Sequence, residues 1–168
     1  MHIYLLRHGI AAPLGEENHF TDARRMLTPE GASKMREASL GLKKLGITFD
    51  LVASSPLIRA KETAEIIVEV LKIKEPLQEW DELTPAASID GLTRRLQRHQ
   101  NRTSVLLAGH QPFMGLLACF LILGSDKISL DFKKGGMCCI RVDEVPPRSA
   151  GELVWMLTPK ILRTLGEK

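Results

Sequence analysis

The chain has 168 residues with a formal net charge of +3, and 44% of its residues are hydrophobic while 26% are charged. This length predicts one domain over residues 1–168, and the composition excludes a disordered or fibrous protein. Only 5% of the residues are aromatic and the basic residues are scattered, so we expect no nucleic-acid binding.

The cellular setting is predicted from the cysteines and the apolar stretches. Cys119, Cys138 and Cys139 are odd in number and lack a CxxC spacing, which indicates neither a disulfide framework nor a zinc site. The most apolar stretch, residues 113–123, is about half the ~20 residues that span a bilayer, and the amino terminus shows no secretory signal. We therefore expect a cytoplasmic protein that does not bind membranes.

The first predicted strand, residues 3–6, ends in Arg7, His8 and Gly9. This places an arginine and a histidine at the carboxyl edge of the predicted sheet, where ligands of open α/β proteins bind. Arg7 offers a planar, permanently charged fork for phosphoryl oxygens, and His8 offers a ring nitrogen that is mostly neutral near pH 7. The pair predicts phosphoryl transfer through histidine.

Further along the chain, buried strands alternate with amphipathic helices. A loop over residues 10–27, whose Arg24 and Arg25 are expected to point inward, precedes a helix that begins at Thr28 and is stopped by Gly46. A helix over residues 57–72 carries Arg59 in its first turn, and the strand over residues 104–108 ends at Gly109 and His110. On the first helix, Met35, Leu42 and Leu45 form the predicted inner stripe, and a strand over 51–53 follows. A mixed segment over 77–83 precedes a helix with Ile89, Leu92 and Leu96 on its inner face. A helix starting near Pro112 and strands over 137–142 and 153–157 complete the prediction.

This alternation predicts an α/β fold, a three-layer α/β/α sandwich around a mostly parallel central sheet. Two of its buried strands, 3–6 and 104–108, repeat one design: an apolar run, a nearby glycine and a histidine at the carboxyl end. We expect the other histidines, His2, His19 and His99, to be surface or packing residues.

Three blocks of the sequence carry a family resemblance. They are Leu6-Arg7-His8-Gly9, the block SSPLIRAKETA over residues 54–64, and Gly109-His110. In order and spacing they resemble the histidine phosphatase superfamily, which includes the cofactor-dependent phosphoglycerate mutases. The segments RMLTPEG (25–31), ELTP (82–85) and WMLTP (155–159) further resemble the small SixA-type phosphohistidine phosphatases, which lack the helical lid of the mutases.

The resemblance implies a fold like that of phosphoglycerate mutase and a set of site residues. His8 would be the nucleophile and would carry a covalent phosphoryl group, which water then removes. Arg7, Arg59 and His110 would surround the phosphoryl oxygens, and Arg25 would reach them from the loop. Two arginines and a histidine supply the positive charge that metal ions provide elsewhere, so we expect no metal and no cofactor.

A proton donor is the uncertain member of this set. The nearest acidic residues are Glu79, Asp81 and Glu82, of which Asp81 and Glu82 are the candidate acids, but the SixA-type pattern carries no clear donor. A general acid typically contributes about 10² to 10⁴ in rate. An alkoxide leaving group needs that acid, whereas an imidazole can leave already protonated, so the absence favours a phosphorus-to-nitrogen bond.

The sequence therefore predicts a phosphohistidine phosphatase that acts on a protein, such as a histidine-containing phosphorelay carrier, and that is a monomer or weak oligomer. One alternative is a phosphatase of the same superfamily for small phosphate esters or other phosphoproteins. An alternative of another class is a module that binds a phosphorylated partner without turnover.

Overall fold

The computed structural model describes residues 1–15 and 21–167, and its centre is a six-stranded sheet. From β3 to β1, neighbouring strands of this sheet are parallel, whereas β5 is antiparallel to both of its neighbours. The predicted mostly parallel sheet is confirmed. The strands, arranged in the order β3-β2-β4-β1-β5-β6, are β1 (His2–Arg7), β2 (Leu51–Ser54), β3 (Leu77–Glu79), β4 (Ser104–Gly109), β5 (Met137–Arg141) and β6 (Glu152–Leu157).

Helices cover both faces of the sheet. Leu42 of the first helix and Ile67 of the second pack with Leu106 on one face, whereas Leu96 and Leu117 pack with Leu107 on the other. The predicted three-layer sandwich is thus confirmed. The helices are α1 (Pro29–Lys44), α2 (Ile58–Leu71) and α5 (Pro159–Gly166) on the first face, and α3 (Ile89–Gln97) and α4 (Phe113–Leu123) on the second.

Strand β4 positions the site because it lies between β1 and β2 and is parallel to both. Its side chains from Val105 to Ala108 are completely buried, which explains why this strand is apolar throughout. In the register, Arg7 of β1 lies beside Gly109 of β4. The residues that follow the two strands, His8 and His110, therefore leave the sheet side by side.

The final helix, α5, is absent from the sequence-based prediction. Its start repeats that of α1: a threonine caps the helix and proline follows, with the Thr158 hydroxyl accepting a hydrogen bond from the Ile161 amide at 3.4 Å. α5 packs on α1 at Gly41, where an added Cβ would lie 2.0 Å from the Leu162 carbonyl oxygen. Glycine at this position lets the two helices approach closely.

The predicted inner stripe of α1 is wrong at one position. Met35 and Leu42 are buried as expected, but Leu45 is 47% exposed. The cause is that α1 ends at Lys44, so Leu45 follows the last helical turn, and Gly46 with a φ of +69° redirects the chain. The stripe that faces the sheet therefore stops at Leu42.

The segment predicted as mixed, residues 77–83, consists of the short strand β3 followed by a single 3-10 turn, Asp81–Leu83. In the parts of the chain that the structure describes, no helix is long and apolar enough to cross a membrane. The most apolar helix, α4, has 11 residues and is packed into the core.

Candidate active site

The two strand-end histidines face each other at the carboxyl edge of the sheet. The backbone amide of His8 donates to the Gly109 carbonyl at 3.0 Å, which extends the β1–β4 pairing by one step. The ring centroids of His8 and His110 lie 5.2 Å apart, and the two residues are 7% and 2% exposed. The repeated strand design in the sequence thus produces one site.

The hydrogen bonds of His8 define its tautomer. Its Nδ1 lies 2.7 Å from the Gly9 carbonyl oxygen, and because a carbonyl only accepts, Nδ1 carries the proton. The lone pair is consequently on Nε2, which accepts from Nε of Arg59 at 3.3 Å. The Gly9 carbonyl thus fixes the tautomer of His8.

The charge state of His8 follows from its surroundings. Burial lowers the pKa of its imidazole to about 4, and the positive charges of Arg59, Arg7 and Lys134 act in the same direction, against the bond to the Gly9 carbonyl. The ring is therefore neutral at pH 7. A neutral imidazole with a directed lone pair can act as a nucleophile.

Arg59 is placed by the start of α2 and is 4% exposed. The hydroxyl of Thr63, one turn later, donates to the Arg59 carbonyl at 2.6 Å and accepts from the Gly9 amide at 3.0 Å. This hydroxyl ties the loop after β1 to α2 and fixes Arg59 relative to His8. The remaining Arg59 nitrogens bind Asp22: Nη1 donates to its carbonyl at 2.7 Å and Nη2 to its carboxylate at 2.8 Å.

Arg7 is held by backbone groups of residues 132–136. Its backbone is held by the Gly135 amide and the Gly136 carbonyl, at 3.0 and 3.1 Å, and its Nη1 donates to the carbonyl of Phe132. Its Nε is buried and has no partner among the described residues. That N–H is available to a ligand.

His110 differs from His8 in its hydrogen bonds. Both of its ring nitrogens are buried without a partner in the described part of the chain. Burial lowers the pKa of His110 to about 3, assisted by the charge of Arg59 and by His8. The ring is therefore neutral, so it offers a hydrogen bond and not the positive charge expected from the sequence. It carries one N–H and one lone pair, and a ligand oxygen that accepts from the N–H would remove part of the about 1–3 kcal/mol that an unpaired buried polar group costs.

Arg25 reaches the region of the site, but through another residue. Its Nε donates to the Ala12 carbonyl at 2.6 Å and its Nη1 to the Asp22 carboxylate at 2.8 Å. Asp22 thus bridges Arg25 and Arg59, a role that the sequence reasoning missed. The available signal was its position three residues before Arg25, the spacing of an i,i+3 ion pair.

The candidate acids lie in contacts of their own. Glu79 pairs with Lys61 at 2.7 Å and Glu82 with Arg95 at 3.8 Å. Asp81 is exposed at the start of the 3-10 turn. No hydrogen bond or ion pair within the described residues joins these acids to either site histidine.

The other described histidines lie outside this site, and the described residues form no metal-binding cluster. His2 lies in β1, His99 stacks on Trp80 with centroids 5.4 Å apart, and His19 lies outside the described residues. In residues 1–15 and 21–167, no group of three or more histidine, cysteine or acidic side chains could hold a metal ion.

Comparison with known proteins identifies one family and several similar proteins and structures. Residues 3–88, about half of the chain, match the histidine phosphatase superfamily (branch 1). An uncharacterised protein of Picosynechococcus sp. is 31% identical over 166 residues, 96% of this chain and 99% of that protein. Phosphohistidine phosphatase SixA of Escherichia coli is 27% identical over 161 residues, 95% and 94% of the two chains. The structure of the protein histidine phosphatase SixA complexed with tungstate superimposes with a TM-score of 0.84 at 27% identity, covering 96% of this chain and 99% of that one.

The three similar proteins match over nearly the whole chain, and the family match covers the motifs at the ends of β1 and β2. The predicted family and its SixA-type subgroup are confirmed. The neutral imidazole of His8, beside the buried guanidinium of Arg59, is suited to attack an electrophile that carries negative oxygens. The chain belongs to the histidine phosphatase superfamily and is an enzyme.

Proposed function

We propose that the protein is a metal-independent phosphatase that removes the phosphoryl group from phosphohistidine on another protein, using His8 as the nucleophile. The observation that carries this proposal is the tautomer of His8: the Gly9 carbonyl holds Nδ1–H at 2.7 Å and leaves the Nε2 lone pair toward Arg59. The unpartnered N–H groups of His110 and of Arg7 Nε support it, because phosphoryl oxygens would accept hydrogen bonds from them.

In the first step, the Nε2 lone pair of His8 attacks phosphorus and forms a P–N bond. The substrate's own P–N bond breaks, and its electron pair returns to the substrate imidazole, which leaves neutral when its second nitrogen keeps a proton. Arg7, Arg59 and His110 bind the oxygens, on which the negative charge is concentrated. Nδ1–H of His8 stays on the Gly9 carbonyl, so the new positive charge on the ring is stabilised.

In the second step, water attacks phosphorus and the bond to Nε2 breaks. Its electron pair returns to His8, and the water proton passes to the departing phosphate. The free enzyme and inorganic phosphate result. Neither step needs a metal ion or a cofactor.

The preference for phosphohistidine is supported by the surroundings of the site. Glu79 and Glu82 are paired with Lys61 and Arg95, so no described contact supplies an acid to protonate an alkoxide. Asp81 and Glu82 remain candidate acids by prediction alone. The relative named phosphohistidine phosphatase SixA and the tungstate complex of SixA, in which a tetrahedral oxyanion is bound, support the same substrate class.

We infer further that the phosphorylated partner is a histidine-containing phosphocarrier of a phosphorelay and that the enzyme works in the cytoplasm as one domain, a monomer or weak oligomer. The cysteines support the reducing compartment, because Cys119, Cys138 and Cys139 are all free and buried. A carrier domain presents its histidine on a folded surface, which matches a site at a strand edge.

The test measures phosphate release from a phosphohistidine-bearing protein and from p-nitrophenyl phosphate, with a chelator present. We expect fast loss of phosphohistidine, slow ester hydrolysis, and a loss of roughly 10⁴-fold or more in His8→Ala. The matched control is His99→Ala, since His99 stacks on Trp80.

Three results would contradict the proposal. Full activity in His8→Ala would exclude the nucleophile, and ester turnover as fast as that of phosphohistidine would indicate a general phosphatase with a working acid. Tight phosphate binding without turnover would instead identify a recognition module.

A further inference from the structure

The Asp22 carboxylate occupies two arginines of the candidate phosphate site. One oxygen accepts from Nη1 of Arg25 and the other from Nη2 of Arg59, both at 2.8 Å. The Asp22 side chain is 50% exposed, whereas that of Arg59 is 5% exposed. The half-exposed Asp22 carboxylate thus pairs with the buried guanidinium of Arg59, which also contacts His8.

This carboxylate stands where phosphoryl oxygens would bind. The guanidinium of Arg59 already uses Nε on His8 and both Nη atoms on Asp22, so its remaining free N–H groups are few. Asp22 also acts on His110: burial lowers the pKa of that ring, and the negative charge of Asp22 opposes the lowering. The negative charge of Asp22 therefore acts on His110 as well as on the two arginines.

An acid role for Asp22 is the competing explanation. Partial burial acts to raise the pKa of Asp22, but hydrogen bonds from Arg25 and Arg59 outweigh it and hold the pKa below its usual value. The carboxyl group is consequently ionised at neutral pH. It is a poor proton donor and remains an anion.

We propose that Asp22 is an intramolecular competitor for inorganic phosphate: it occupies Arg25 and Arg59 in the empty site and helps to expel the phosphate product. This inference rests on the proposed function, because it assigns the same arginines to the phosphoryl group. A tethered group competes at an effective concentration on the order of millimolar or above. Inorganic phosphate must displace the Asp22 carboxylate through its contacts in the phosphate site alone.

A phosphoprotein can overcome this competition because it brings additional contacts. Because Asp22 must be displaced, the binding affinity of every anion falls by a similar factor. A protein partner, however, also binds through the surface around its phosphohistidine. These extra contacts keep the substrate bound, whereas inorganic phosphate, which lacks them, leaves the site. Asp22 thereby favours release of the product.

The experiment measures the dissociation constant of inorganic phosphate by calorimetry for the wild type and for Asp22→Asn, an uncharged variant of the same shape. Asp22→Ala repeats the measurement in case the amide makes new hydrogen bonds. The control is Asp131→Asn, which removes an exposed carboxylate beside Phe132 that pairs with Lys133 at 3.4 Å. Phosphate inhibition of phosphohistidine turnover is measured in parallel.

We expect phosphate to bind Asp22→Asn about tenfold more tightly or better, with an equal fall in its inhibition constant and with KM lowered more than kcat. Asp131→Asn should match the wild type. Equal or weaker phosphate binding in both Asp22 variants, with turnover intact, would overturn this inference alone and make Asp22 a positioning group for the arginines. Absence of phosphate binding together with absence of turnover in the wild type would overturn the proposed function as well.

Discussion

His8 and His110 come from the same local design but have different surroundings. Each follows a buried parallel strand and leaves the same edge of the sheet. His8 is held at Nδ1 by the Gly9 carbonyl, whereas neither ring nitrogen of His110 has a partner in the described residues. The proposed roles follow this difference: the ring of His8 would attack phosphorus, and the N–H of His110 would donate to the phosphoryl oxygens.

The first way to test this difference is to remove the ring of His110 alone. His110→Ala should lower kcat for phosphohistidine by roughly 10² to 10³, as expected when one group that stabilises transition-state charge is lost. His8 should still become phosphorylated, more slowly, because its tautomer does not depend on His110. Single-turnover kinetics with detection of protein-bound phosphate measures both; loss of phosphorylation comparable to that in His8→Ala would contradict the division of roles.

The second test concerns the cation that faces the nucleophile. Arg59→Lys keeps one positive charge but loses the fork that contacts His8 and Asp22 together. We expect kcat/KM to fall by about 10 to 100-fold, less than in Arg59→Ala. The matched control is Arg36→Lys, because Arg36 pairs with Glu69 on the exposed surface at 2.8 Å. Equal activity of the two Arg59 variants would show that charge at this position has no role.

The third test addresses the bond that holds the His8 loop to α2. Thr63→Val removes the acceptor of the buried Gly9 amide, so the free energy of unfolding should fall by about 1–3 kcal/mol and activity should fall with it. Chemical denaturation measures the first effect. The control is Thr93→Val, since Thr93 is also buried but bonds only the Asp90 carbonyl, three residues before it. A larger destabilisation in the control would exclude a special role for Thr63.

The last test concerns the pH dependence of stability. Burial lowers the pKa of His8 to about 4 and of His110 to about 3, both below the ordinary value of 6.5. The unfolded chain therefore binds more protons between pH 6.5 and 3, and stability is lost as pH falls through that window, by up to about 1.4 kcal/mol per pH unit for each ring. The double variant His8→Asn, His110→Asn should show a shallower loss, and an unchanged slope would contradict neutral buried rings.

The strand-end part of the site was predictable because it follows from local pattern and one topological rule. The apolar runs before His8 and His110 indicate buried strands, and parallel neighbours bring their carboxyl ends together. The position of Arg59 was equally predictable, since Arg59 lies in the first turn of the helix after β2. The roles of these residues, like the single domain over 1–168, stay predictions.

The loop part was not predictable because its contacts are distant in sequence. Asp22 reaches Arg59 across 37 positions, and no periodic pattern in the loop indicates that pairing. Arg25 at the phosphate stays a prediction, and its contacts with Asp22 and the Ala12 carbonyl were not foreseen. The start signal of α5 at Thr158 was visible in the sequence, and the close approach of α5 to Gly41 depends on tertiary packing.

The most direct test of His8 as the nucleophile traps the enzyme during turnover with a labelled phosphohistidine protein and locates the label by peptide mass spectrometry and NMR. We expect a transient phosphoryl group on His8, attached at Nε2 because Nδ1 is held by Gly9, and no label in His8→Ala. Phosphate release without any label on His8, or a label at Nδ1, would contradict it.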